Sequence, residues 1–233
     1  MGKISEYMRV FLPCRRGSVR VPNKNVRTFA GNREGLIGIK LQQLESARCF
    51  DEIIVSSNDE RVLEIADSPR WPTVRTHVRN EHLSSSSTST DELIPLVASL
   101  ISDGAVLWTH VTSPFVTGHD YECIVDTYWQ KTADGYDSLM TVTPLHDFIW
   151  RHNGPVNYDR TSERWPRTQE LEPLYKVNSA AFVAGIDTYR NLADRVGKRP
   201  YLMTLDTLVG MDIDWEHDFA IAETMLQSGV VRI

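Results

Sequence analysis

Cysteine is scarce in this sequence and long apolar runs are missing, and each shortage closes off a class of protein. The three cysteines among 233 residues, Cys14, Cys49 and Cys123, are widely spaced and odd in number. They suggest neither a disulfide framework nor a zinc cluster, and fit reduced thiols in a cytosol. No apolar run approaches the roughly 20 residues of a membrane span. The opening Met1-Gly2-Lys3-Ile4-Ser5-Glu6-Tyr7 lacks the apolar core of a signal peptide. The expectation is a cytoplasmic protein. Positive charge is in the minority too. The 25 Lys and Arg face 31 Asp and Glu, for a formal charge of −6, which argues against a nucleic-acid or membrane partner. The seven histidines show no HExxH or similar metal spacing. Neither a Gly-x-Ser-x-Gly elbow nor a GxxxxGK[ST] loop occurs, which removes the corresponding hydrolase and P-loop classes.

Against that acidic background one basic stretch stands out. Val10-Phe11-Leu12 reads as a short buried strand stopped by Pro13, and the loop after it carries Arg15, Arg16, Arg20, Lys24 and Arg27. A strand fixes such a loop, Gly17 and Ser18 let backbone N–H groups come close, and the cations supply charge, so the stretch suits a polyphosphate. A solvated basic loop is the plainer alternative. Position favours the first, because a loop after the first strand of an α/β sheet lies at the edge where ligands bind.

The rest of the chain has the rhythm of one α/β core. Leu36, Ile37, Leu41 and Leu44 predict a helix ending near Cys49, and residues 52–56 a buried strand. Asn58-Asp59-Glu60 caps a helix over 61–66, and residues 73–78 form a third strand. This alternation predicts right-handed crossovers and a parallel sheet. An apolar helix to Ile101 follows, then a central strand over 105–111, apolar on consecutive residues as strands buried on both faces are. Tyr121, Ile124, Val125, Tyr128 and Trp129 make a core-facing helical stripe. Residues 138–143 are a strand. Residues 146–173 then break the rhythm, an excursion of a length that is usually functional or an oligomer contact. Strands over 175–184 and 201–205 and a helix over 215–227 complete the chain.

Three further features bear on chemistry. In extended backbone Asp212 and Asp214 of Asp212-Ile213-Asp214 point to the same side and can converge on a hard cation such as Mg2+. Asp214 as a plain helix cap is the alternative. Residues 84–90, Ser-Ser-Ser-Ser-Thr-Ser-Thr, read as a flexible linker by composition, yet their hydroxyls end at a helix start and could line a pocket. His110 closes the central strand and so faces the ligand edge, with a buried structural histidine as the competing reading.

Six ordered elements are together recognisable. Residues 13–25, Pro-Cys-Arg-Arg-Gly-Ser-Val-Arg-Val-Pro-Asn-Lys-Asn, resemble the N-terminal signature of the acylneuraminate cytidylyltransferase (CMP-sialic acid synthetase-like) family. Ile54-Val55-Ser56-Ser57-Asn58, Thr112-Ser113-Pro114, Arg167-Thr168-Gln169, Asn178-Ser179-Ala180, and Asp212-Ile213-Asp214 with Asp218-Phe219 continue the resemblance over nearly the whole chain. It implies a Rossmann-like, mainly parallel sheet flanked by helices, of the nucleotide-diphospho-sugar transferase type, in one domain over 1–233. It also implies CMP transfer from CTP to an acidic sugar acceptor with release of pyrophosphate, Mg2+ as cofactor, and a homodimer built through an insertion at about 146–181.

Carried over residue by residue, Arg15, Lys24 and Asp214 are the implied catalytic groups, and Asp212 and Asp214 the metal ligands. Pro13, Cys14, Arg15, Ser18, Lys24, Asn25, Arg79, Thr90 and His110 are the implied nucleotide contacts; His110, Gln169 and Asn178 the acceptor contacts. The sequence departs from the pattern at His110, where Gln is usual, at Asn58 for Asp, at Ser179 for Gly, at Val19 for Lys, and at Phe115-Val116 for Leu-Arg. The CTP end is intact and the acceptor end altered. Activation of a phosphonate or phosphorylated small acid is therefore the nearest alternative, ahead of a nucleotide-sugar glycosyltransferase or a non-catalytic nucleotide-binding module.

Overall fold

Three strands that are buried along nearly their whole length organise the molecule, and their side chains alternate between two cores. In the computed structural model, which describes residues 7–233, β1 (Met8–Pro13), β2 (Glu52–Ser57) and β4 (Ala105–Trp108) are central. Val10, Leu12, Ile53, Val55, Ala105 and Leu107 face one core. Phe11, Ile54, Val106 and Trp108 face the other. This is the period of two expected of a strand covered on both faces. The first core is closed by α1 (Gly35–Ser46), α2 (Glu60–Ala66), α4 (Gly118–Ala133) and α6 (Glu216–Gln227), the second by α3 (Thr90–Leu100) and α5 (Ile186–Leu192). The reading of residues 1–6 lies outside the described residues. Among those described, no helix is long and apolar enough to cross a membrane.

The helices start where local chemistry lets them. Asp59 accepts from the Arg61 amide ahead of α2, and capping boxes pair Ser89 with Glu92 and Thr117 with Asp120 at α3 and α4. With β3 (Val74–Val78), β5 (Ser138–Leu145), β8 (Leu174–Gly185) and β9 (Pro200–Thr204), the sheet runs β3-β2-β1-β4-β8-β5-β9. It is mainly parallel, but β8 runs antiparallel to both β4 and β5. The excursion after β5 carries a small ribbon, β6 (Trp150–Arg151) with β7 (Gly154–Pro155), and brings the chain back in the opposite sense.

Three expectations need adjustment. The central strand ends at Trp108, not Val111, because the chain turns at 110–113. Residues 211–214 are irregular backbone beside the sheet, anchored where the Ile213 amide donates to the Thr112 carbonyl. Helix α5 has no counterpart in the sequence reading, since its seven residues bury little besides Ile186 and Tyr189.

The order of strands places the ligand edge. The chain moves from β1 outward to β2 and β3, then returns to β4 on the other side of β1. The carboxyl ends of β1 and β4 therefore flank a topological switch point, where open α/β sheets bind ligands.

Candidate active site

A cleft of about 260 Å3 opens at that switch point. The β1 side brings Pro13, Arg15, Ser18, Arg20, Lys24 and Asn25 to its wall. The β4 side brings Trp108, His110 and Thr112, while Arg79 and the segment from Thr88 to Thr90 close it above.

The basic loop is held from within and from far along the chain. Gly17 takes a φ of +78°, a turn that favours glycine. The Asn25 side chain donates to the Arg15 carbonyl at 3.1 Å, and the Arg15 guanidinium folds onto the Gly17 carbonyl at 3.1 Å. Asn58 accepts from the Arg16 amide at 2.9 Å, so this departure from the family pattern anchors the loop. The Lys24 ammonium, Arg20 and Arg27 all reach the other end of the chain: Lys24 donates to the Ile213 carbonyl at 2.7 Å, Arg20 pairs with Asp214 at 2.7 Å, and Arg27 with Glu216 at 2.7 Å. Burial pulls the Lys24 pKa down, with the Asp212 and Asp214 charges opposing it.

The acidic segment is set by Ile213, whose side chain is fully buried in the first core and leaves the flanking aspartates outside it. Asp218 accepts from the amides of Asp214 and Trp215 at 3.0 and 2.7 Å, fixing the entry to α6. Asp212 is largely buried, its pKa raised chiefly by that burial, and its Oδ1 has no hydrogen-bond partner among the described residues. A carboxylate oxygen shut away from water without a partner is costly, and a hard cation would satisfy it. That orphaned oxygen, beside a second carboxylate and a basic loop, fits a divalent metal.

Arg79 is buried in the cleft wall just past the end of β3. Its guanidinium donates to the Ser56 hydroxyl at 3.1 Å and to the Ser56 carbonyl, tying β3 to β2. The hydroxyl run is divided in its roles. Ser84 is buried and bonds Asn80, Ser85 and Ser87 bond each other on the surface, and Thr88, Ser89 and Thr90 line the cleft.

Several sequence-expected contacts lie elsewhere. Cys14 is buried below the loop; its amide donates to Ser56, its carbonyl accepts from Ser57, and burial pushes its thiol up to about 12. Asp212 and Asp214 sit beside the cleft wall, joined to it through Lys24 and Arg20. Gln169 is exposed on a short 3-10 turn over Thr168–Glu170 and lines no part of the cleft. Asn178 is buried in the sheet, accepting from Thr141 at 2.7 Å and donating to Thr143 at 3.1 Å. Trp108 is a cleft residue that sequence reading missed, because it sits in an apolar run indistinguishable from core.

A mainly parallel sheet with a basic loop at its switch point makes the chain an α/β protein of the Rossmann-like kind, with its cleft at the edge where such sheets bind ligands. Residues 10–208 match the cytidylyltransferase family, and the chain belongs to it. It is 27% identical to the pseudaminic acid cytidylyltransferase of Campylobacter jejuni over 106 residues, which cover 46% of this chain and 44% of that protein. It is 24% identical to N-acylneuraminate cytidylyltransferase A of Danio rerio over 228 residues, covering 94% of this chain and 50% of that one. The chain thus spans about half the length of these curated relatives. A solved CMP-2-keto-3-deoxy-manno-octonic acid synthetase complexed with CTP shares the fold, with a TM-score of 0.67 at 14% identity, over 96% of this chain and 99% of that one.

Proposed function

We propose that this chain transfers CMP from CTP to an acidic sugar acceptor of the sialic, pseudaminic or 2-keto-3-deoxy acid kind, releasing pyrophosphate. The observation that carries the reading is the joint made by Lys24 and Ile213, which sets a cationic loop and a carboxylate pair side by side at the edge of one cleft. In this reading an acceptor oxygen attacks the α-phosphorus of CTP in line. The bond from that phosphorus to the α,β-bridging oxygen breaks, pyrophosphate departs, and the acceptor hydroxyl proton passes to solvent.

Arg15 and Lys24 neutralise the triphosphate and the leaving pyrophosphate. Ser18 and Asn25 shape the loop, while Arg79 and Thr90 line the nucleoside end. Asp212 and Asp214 would hold Mg2+, which supplies Lewis-acid charge at the phosphates when bound. Arg20 must then share or release Asp214. Catalysis is positioning and electrostatics without a covalent intermediate.

The excursion over 146–181 is proposed to pair two copies of the chain. Trp150, Trp165, Tyr175 and Val177 are exposed along it, and large exposed apolar side chains gathered on one segment support a contact surface. Across such a dimer Gln169, which lines no part of its own cleft, would reach the neighbouring acceptor pocket. The test of the whole reading is Mg2+-dependent pyrophosphate release from CTP against a panel of acidic sugars, phosphonates and phosphorylated acids. Release with a 2-keto sugar acid supports it. Release with a phosphonate alone, or with none, defeats it.

A further inference from the structure

A tryptophan, a histidine and an arginine form a column on the β4 side of the cleft. The Trp108 indole N–H lies 3.1 Å from Nε2 of His110, and both side chains line the cleft. Indole nitrogen is a donor without an acceptor lone pair, so Nε2 of His110 must accept. A neutral imidazole with its Nε2 accepting carries its proton on Nδ1. Nδ1 finds no hydrogen-bond partner among the described residues. Beyond Trp108, Arg195 stacks over the indole at 5.0 Å and over Phe182 at 3.7 Å, and its Nη1 is buried without a partner among the described residues.

The surroundings also keep the ring uncharged. Burial, followed by the positive charges of Arg195, Lys24, Lys40 and Arg79, pulls the His110 pKa down to about 3. These cations reach His110 from the loop after α5, the loop after β1, helix α1 and the end of β3. A neutral imidazole with Nδ1 protonated and Nε2 engaged is not a general base. What it offers is one uncharged N–H donor.

We propose that Trp108 is a positioning residue that holds His110 in its Nδ1–H form, so that His110 donates one hydrogen bond to an oxygen lone pair of the ligand in the cleft. The ligand half of this inference rests on the function proposed above; the tautomer half does not. His110 is then a specificity-determining residue and takes no proton during the reaction. The geometry also gives Arg195 a purpose. Packed on the far face of the indole, it keeps Trp108 from swinging away and adds positive charge that disfavours imidazolium.

The test begins with the ligand-free wild-type protein, labelled with 15N-histidine and read by long-range 1H–15N NMR, with His110→Gln assigning the resonance. The expected result is a pyrrole-like Nδ1 and a pyridine-like Nε2, unchanged down to the acid limit of the fold. A pyridine-like Nδ1, or titration near the ordinary histidine range, overturns the proposal. Trp108→Phe, which keeps a ring but lacks the N–H, is expected to mix the two tautomers. It should raise KM about tenfold for one substrate, CTP or acceptor, with a smaller change in kcat, the size of one lost hydrogen bond. An unchanged tautomer, or an unchanged KM for both substrates, sinks it. Absence of turnover with every acceptor would defeat the proposed function while leaving the wild-type NMR result standing, so the two failures are distinguishable.

Discussion

The Lys24 ammonium donates to the carbonyl of Ile213 at 2.7 Å, across 189 residues of sequence, and lands between the two aspartates of the acidic segment. A half-buried cation in that position already feels Asp212 and Asp214, which oppose the pKa-lowering effect of its burial. In the proposed reaction an entering triphosphate would give the same ammonium a stronger partner. Lys24→Ala is expected to reduce CTP-dependent pyrophosphate release by about 10²–10³, as loss of one charge-stabilising donor does, with an unchanged circular dichroism spectrum. Activity near the wild-type level would remove Lys24 from the site.

If Asp212 holds the proposed Mg2+, binding of the metal separates there from upkeep of the fold. Its Oδ1 is buried and unpartnered among the described residues, so the carboxylate strains the ligand-free protein more than it helps it. Asp212→Asn is therefore expected to melt at the wild-type temperature or slightly above. It should nevertheless need at least about tenfold more Mg2+ for half-maximal pyrophosphate release, because it has lost a charged hard ligand. Wild-type Mg2+ dependence in the variant would refute the ligand assignment, whatever its stability.

Lys40 predicts a pH-dependent stability. It is fully buried under the loop that carries Thr112 to Pro114, donating to the Ser113 carbonyl and the Tyr121 hydroxyl at 2.8 Å each. Burial lowers its pKa to about 7, with the Asp120 charge opposing, whereas in the unfolded chain it is about 10.4. Between those values the unfolded state binds more protons, so the contribution of Lys40 to stability rises with pH across that window and is at its least favourable below it. Tyr121 is pushed upward and stays neutral there. Urea unfolding of wild type and Lys40→Met at about pH 7.5 and about pH 9.5 should show the wild type gaining on the variant at up to about 1.4 kcal/mol per pH unit. Parallel pH curves would show that Lys40 does not titrate in this range.

What could be read in the sequence was what depends on near neighbours. Pro13 ends an apolar run, Gly17 and five cations follow within 15 residues, and the loop, its strand and its place at a sheet edge come out directly. The alternation of Ile53, Ile54 and Val55 between two cores is likewise a local pattern. Pairings across the chain were not visible. Nothing near Arg20 or Arg27 indicates that they close on Asp214 and Glu216, which makes two cations of the basic loop into clamps on the far end of the chain. Lys40 falls on an apolar helical stripe where a lysine ordinarily reads as solvated, and the direction of β8 depends on how a long excursion folds back. Asn178 resembled an acceptor contact, whereas its amide is engaged by Thr141 and Thr143 within the sheet.

Ser179 connects that sheet irregularity to a measurable strain. Between the pairs Val142–Val177 and Met140–Phe182, β8 carries extra residues opposite Thr141, and the bulge is held by side chains. Thr141 accepts from the Ala181 amide at 2.9 Å and gives its own proton to the Asn178 oxygen at 2.7 Å, Thr109 donates to the Ala180 carbonyl at 2.6 Å, and the Asn178 oxygen also accepts from the Ala180 amide. To make the bend Ser179 takes a φ of +59°, left-handed backbone that glycine adopts freely and a side chain resists. This is the position where the family pattern has glycine. Ser179→Gly is expected to stabilise the protein by about 1 kcal/mol, the usual relief of one left-handed residue less the extra freedom glycine has when unfolded. Pyrophosphate release should be unchanged, because Ser179 lines no part of the cleft. A lower unfolding free energy for the variant would mean that the Ser179 side chain contributes more at the bulge than its backbone strain costs.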